Sequence, residues 1–166
     1  MGDAKTLLDV DEPDWRPMPF QHCERWTGLL QGSSGSVLPV RLVLDNYQAF
    51  GSDKFVLQLM HYGASDFPVM RLCFGQDARH RNRMTPGAPL PPGIEPGWIY
   101  GPHVHRWEDN RHLTNGRSLP DDLRFARVAD QSIKSFQAGF WSFCAEANIV
   151  CSQHQIPFAL PTGRLF

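Results

Sequence analysis

The run Lys54–Tyr62 alternates in a way that only an extended strand can use. Phe55, Leu57, Leu59 and His61 fall on one side, and Val56, Gln58, Met60 and Tyr62 on the other. A period of two places each set on one face of a sheet. A second apolar run, Val69–Phe74, follows across Gly63-Ala64-Ser65-Asp66-Phe67-Pro68, which reads as a hairpin loop. Upstream, Phe20–Leu30 and Val37–Leu44 are further strand candidates on either side of a Gly32-Ser33-Ser34-Gly35 turn. Pro39 marks the second of them as an edge strand. Downstream, Trp98–Trp107 and Leu123–Val128 complete the series, with Asn115-Gly116 as a hairpin signal between them.

One helix is expected, and it comes late. Asp130 is a suitable N-cap. Ile133, Phe136, Phe140, Phe143, Cys144 and Ala147 then recur at spacings of three and four, and Asn148 suits the C-cap. Strands first and a helix last predict an α+β fold: a curved antiparallel sheet with one long C-terminal helix packed across it. Residues 1–20 combine a short helix candidate, Ala4–Val10, with Pro13, Pro17 and Pro19, and read as an acidic, proline-containing arm. Residues 21–166 read as a single domain. Within it, residues 75–97 form a long Pro/Gly-rich loop, which should lie over the sheet or the active face.

Charge and cysteine usage narrow the function classes. The net charge of −1 creates no global field for nucleic acid. Residues 71–127 nevertheless hold nine arginines and four histidines against six acids, which is either a compositional habit or an arginine-lined face for phosphates or carboxylates. Cys23, Cys73, Cys144 and Cys151 form no C-x-x-C pair, so reduced, partly buried thiols are expected rather than a zinc ribbon or redox motif. No apolar run approaches transmembrane length and no secretory signal is present, so a cytoplasmic protein without membrane association is expected.

The chemistry-bearing feature is Tyr100-Gly101-Pro102-His103-Val104-His105-Arg106-Trp107. Histidines at i and i+2 of a strand share a face, about 6–7 Å apart. Imidazole both exchanges protons near neutral pH and ligates metals. One reading is metal-free acid–base cleavage of an RNA phosphodiester, with His103 and His105 as the catalytic pair. Arg71, Arg81, Arg83 or Arg111 would bind phosphate, and Trp107, on the same face, would stack on a base. It requires no cofactor. A second is a metal site of His103 and His105 with His112, or else His61 or His80, as the third ligand. The plainest is that the pair only satisfies local hydrogen bonds. Trp15, Trp26 and Trp98 are read as packing anchors, and His61 as a hydrogen-bonded histidine at the end of the sheet.

Met70-Arg71-Leu72-Cys73-Phe74, the Pro-rich loop, Gly101-Pro102-His103-Val104-His105 and the helix end Phe143-Cys144-Ala145-Glu146-Ala147-Asn148-Ile149 together span roughly residues 54–150. This pattern resembles a family of small uncharacterised bacterial, archaeal and phage proteins with a Pro-His-[Leu/Val]-His strand, itself distantly similar to TumE-type toxins of toxin–antitoxin modules. The resemblance implies a toxin–antitoxin or phage-defence role, with RNA or an antitoxin-like protein as partner. The chain departs from the pattern in having Arg106 and Trp107 after the second histidine and Phe74-Gly75-Gln76 where an acidic residue often stands. A non-enzymatic interaction module of a mobile element, recognising partners through the acidic arm and the Pro-rich loop, is the alternative.

Overall fold

The computed structural model describes residues 3–8, 14–47, 54–63, 66–84, 89–114, 123–133 and 135–155. In chain order its elements are β1 (Lys5–Leu7), β2 (Arg16–Met18), β3 (Cys23–Gly32), β4 (Val37–Asn46), β5 (Phe55–His61), β6 (Phe67–Phe74), β7 (Arg79–Asn82), β8 (Gly97–Tyr100), β9 (His103–Arg106), α1 (Trp107–Asn110), β10 (Arg127–Val128), α2 (Phe136–Glu146) and β11 (Ile149–Val150). Nine strands form one sheet in the order β10-β9-β6-β5-β4-β3-β1-β11, with β2 also paired to β3; β7 and β8 form a separate two-stranded sheet. The protein is α+β, as expected. The Asn115-Gly116 turn and the tail at 156–161 lie outside the described residues.

Several expectations are corrected. The main sheet is mixed, because β1 pairs β11 in parallel while its other pairings are antiparallel. The segment read as a short helix contains β1 instead; its pairing with β3 and β11 overrides a weak local preference. Pro39 does not mark an edge, since β4 lies between β3 and β5. The β3–β4 register breaks between Leu29 and Gln31, so Pro39 sits where the ladder to β3 is already interrupted.

The helix is also shorter than expected. Asp130 does not cap it: its carboxylate accepts from the Ser132 amide (2.8 Å) and its carbonyl from that of Ile133 (3.1 Å), closing a turn. Ser135 is the N-cap, its hydroxyl accepting from the Ala138 amide at 3.2 Å. The 11 residues of α2 make a rod of about 16 Å, enough to cover about three strands rather than to cross the whole sheet. Asn148 follows in the left-handed conformation (φ 53°) that ends many helices.

The sheet has two unlike faces. Directly opposed residues share a face, so Trp26, Leu44, Leu57, Leu72 and Val104 line up across β3, β4, β5, β6 and β9. With Leu42, Leu59, Met70 and the α2 residues Phe140 and Phe143 they form one continuous buried cluster. Burying each such side chain stabilises by about 1.5–3 kcal/mol. Gly139 permits the close approach of α2, because a Cβ there would stand 3.2 Å from the Phe74 ring. The second face carries Arg25, Asp45, Val56, Gln58, Arg71, Cys73, His103 and His105, and this is where the chemistry-bearing side chains gather.

Phe140 is fully buried at the centre of the helix–sheet contact. Phe140→Ala is expected to cost about 3–5 kcal/mol. Urea unfolding should show this as a lower midpoint at an unchanged slope.

Candidate functional site

Strand β9 is held between β6 and β10, so its two histidines project from an interior strand. Each is only 2% exposed. Gly101 makes the preceding turn, with φ +83°, a conformation that L side chains rarely adopt. Its carbonyl accepts from Nδ1 of His103 at 2.9 Å, and the Leu123 carbonyl accepts from Nδ1 of His105 at 2.7 Å. A carbonyl can only accept, so Nδ1 carries the proton in both rings and Nε2 carries the lone pair.

The Pro/Gly-rich stretch supplies a cover for the histidine end of this face. The strand expected over Trp98–Trp107 is broken at Gly101-Pro102 into β8 and β9. From within the stretch, β7 pairs with β8, with Arg79 opposite Tyr100, His80 opposite Ile99, Arg81 opposite Trp98 and Asn82 opposite Gly97. The side bearing His80 turns inward: its ring centroid lies 4.6 Å from that of His105 and 5.7 Å from that of His103. Cys73 comes from β6, directly opposite His103 in the ladder. Cys73, His103 and His105 each offer one ligand atom, and the three atoms lie within 4.8 Å of one another.

Two asparagines, unremarked in the sequence, hold the arrangement. Asn82 accepts from the Ala126 amide and donates to the Ala126 carbonyl, both at 2.9 Å. Asn110 does the same for Phe125, accepting at 2.8 Å and donating at 3.1 Å. Each carboxamide thus takes the place of a neighbouring strand. With His80 on the Arg124 carbonyl (2.9 Å) and His105 on that of Leu123, four successive residues are gripped by side chains.

Arg71 is the expected phosphate-binding residue that joins the site. It stands opposite His105 on β6, and its Nε donates to Gln58 Oε1 at 3.1 Å. Gln58 donates in turn to Asp45 (3.2 Å), which accepts two bonds from Arg25 at 2.6 and 3.0 Å. A polar ladder therefore crosses β3, β4, β5 and β6 to reach the histidines. Arg81 projects from the opposite side of β7 to His80 and is exposed, as are Arg83 and Arg111.

Other placements differ from expectation. Trp107 does not share the histidine face: the strand ends at Arg106, and Trp107 begins α1. With Arg106, Met70 and Leu59 it lines a cavity of about 600 Å³ beside the end of α2. His112 is exposed and stacks on Phe125, so the third close donor is Cys73 and not His112. His61 stacks on Phe67 at 4.6 Å, and its buried Nδ1 finds no hydrogen-bond partner among the described residues. Trp26 is a buried anchor, but Trp98 is 51% exposed. The cysteines are free thiols.

Burial dominates the electrostatics. It lowers the pKa of His103 to about 4, opposed by the hydrogen bond to Gly101 and aided by the charge of His80. It lowers that of His105 to about 2, aided by Arg71, His80 and His103. Burial pushes the Cys73 thiol up, and Arg71 and Lys54 partly offset this. Both imidazoles are therefore neutral near pH 7, as ligands must be, and neither is charged to act as a general acid.

Comparison of the chain with protein-family models, with curated proteins and with solved structures finds no match in any of the three. No helix among the described residues is long and apolar enough to cross a membrane.

Two stability measurements probe this arrangement. Asn82→Ala leaves the buried amide and carbonyl of Ala126 without their partner, each at about 1–3 kcal/mol; the urea midpoint should fall accordingly. The pH dependence follows from the histidines. Their folded pKa values, about 4 and about 2, lie below the ordinary 6.5, so between these limits the unfolded chain binds more protons and stability rises with pH. Their contribution is complete above about pH 6.5, declines by up to ~1.4 kcal/mol per pH unit for each ring, and is gone below the folded values. Unfolding of the metal-free chain between about pH 7 and about pH 5 should show the decline. His103→Gln/His105→Gln should flatten it.

Proposed function

We propose that the protein binds single-stranded RNA on the outer face of the β7–β8 hairpin. One observation carries this reading. Trp98 and Tyr100 are exposed at 51% and 73%, and their rings stack at 6.1 Å with 24° between planes. The Arg81 guanidinium lies 5.7 Å from the Trp98 ring centroid, and Arg79 is paired opposite Tyr100. Alternation does the sorting: residues 80 and 82 turn inward to the site, and residues 79, 81, 98 and 100 turn outward.

Aromatic faces beside cationic groups suit a single strand. Bases stack on the rings irrespective of sequence, and the arginines meet the phosphates. A duplex keeps its bases stacked on one another and offers no free faces. The charge is local, which agrees with a chain whose overall charge is close to zero. Such a surface is what the toxin–antitoxin or phage-defence role implied by the resemblance would use. Binding is favoured over cleavage by two histidines alone, because burial keeps both rings neutral and such a mechanism needs one protonated.

Fluorescence anisotropy with a labelled single-stranded oligoribonucleotide tests the reading. Stacking contributes about 1–3 kcal/mol per base, so Trp98→Ala and Tyr100→Ala should each weaken binding by roughly 5- to 150-fold. Arg81→Ala should reduce the slope of log affinity against log salt by about 0.7. Trp107→Ala, away from the hairpin, should leave affinity unchanged. Equal binding by the wild type and the Trp98→Ala/Tyr100→Ala variant would refute the proposal.

A further inference from the structure

Beneath the hairpin, a different set of residues points to a second property, independent of RNA binding. We infer that Cys73, His103 and His105 form a three-ligand site for a zinc-class divalent cation. The donors converge within 4.8 Å, and all three side chains are buried. Two backbone carbonyls hold the imidazoles by Nδ1, which fixes the tautomer and leaves the lone pair on each Nε2. This is the outer-shell support that metal-binding histidines ordinarily have.

The donor set selects the ion. Two neutral imidazoles and one sulfur suit zinc or cobalt, whereas magnesium and calcium require oxygen ligands. With bonds of about 2.0–2.3 Å, tetrahedral ligand atoms stand about 3.3–3.6 Å apart. The separation of up to 4.8 Å therefore asks for a contraction of about an ångström. Opposed residues of adjacent strands can supply that by small side-chain rotations. The Sγ–H bond of Cys73 breaks as the sulfur–metal bond forms, and one proton leaves to solvent. The imidazoles contribute lone pairs and release none.

The fourth position is not filled by a close-set donor among the described residues. Arg71 stands opposite His105, and the His80 ring lies over the pair. Three protein ligands with an open position are the arrangement of catalytic rather than structural zinc. A fourth ligand would come from outside the Cys73, His103 and His105 set, and water is the usual one at three-ligand zinc sites.

Cobalt(II) titration of the metal-stripped, full-length chain tests the inference. One equivalent should bind, giving a thiolate-to-cobalt charge-transfer band in the near ultraviolet and the intense visible bands of a tetrahedral ion. One equivalent of zinc should remove both. Cys73→Ser should lose the charge-transfer band and weaken zinc binding by at least about 10-fold, while His112→Ala binds as the wild type does. X-ray absorption at the zinc edge of the wild type requires no variant to fold. It should show one sulfur at about 2.3 Å and two imidazole nitrogens at about 2.0 Å. A six-coordinate, sulfur-free ion, no stoichiometric binding, or a thiolate band that survives Cys73→Ser would each overturn the site.

Discussion

Everything in the candidate site hangs on the backbone of residues 123–126. This short stretch runs between α1 and the β7–β8 hairpin and obtains much of its hydrogen bonding from side chains. His105 takes the Leu123 carbonyl, His80 that of Arg124, Asn110 both groups of Phe125, and Asn82 both groups of Ala126. Backbone polar groups removed from water must be paired, and the cost of leaving them unpaired fixes this segment as firmly as a sheet ladder would. Because two of the four partners are histidines, the same bonds that order the loop also orient the rings. Structure and candidate chemistry are here one set of contacts.

The sheet converts this local order into a site by having two unlike faces. One is an apolar layer partly covered by α2; the other carries the ladder from Arg25 through Asp45 and Gln58 to Arg71. The half-exposed Arg25 anchors the ladder at one end, and the buried carboxylate of Asp45 receives three bonds. That satisfaction is what makes burial of the charge tolerable. At the other end Arg71 disfavours a second positive charge on His105. The histidine pair therefore lies in surroundings that hold it neutral and rigid, which suits ligation better than proton transfer.

Much of the fold was legible because strand and helix periods are local. The Lys54–Tyr62 alternation is that of β5, and the apolar stripe of α2 lies in the core cluster. The misreadings share a cause in non-local contacts. Asp130 and Ser135 are both good caps, and only docking of Phe136 and Phe140 onto the sheet decides between them. The Pro/Gly-rich stretch hides β7, which lacks the apolar alternation of a strand packed on a core, while residues 98–100 are strand as expected but pair with β7 instead of running on to Trp107. Arg-His-Arg-Asn pairs there with Gly-Trp-Ile-Tyr, burying polar side chains on one side and exposing aromatics on the other. Trp107 followed the parity of His103 and His105 only while the strand was assumed to continue. Arg106 is still extended (φ −119°, ψ 147°), and the helical turn that begins at Trp107 takes this side chain to the cavity beside α2.

By itself, the sequence determined what a two-residue spacing can determine: His103 and His105 side by side on a strand. Covalent geometry is enough for that. It also determined that an apolar helical stripe would follow the strands in an α+β chain. Only the tertiary structure decided that Cys73 stands opposite His103, that His80 closes over the pair, and that burial lowers both histidine pKa values. Those facts depend on strand order, register and solvent exclusion, which are set by the pairing of segments distant along the chain. A register shifted by one residue would have left the same histidines on the same strand, but with Cys73 on the other face.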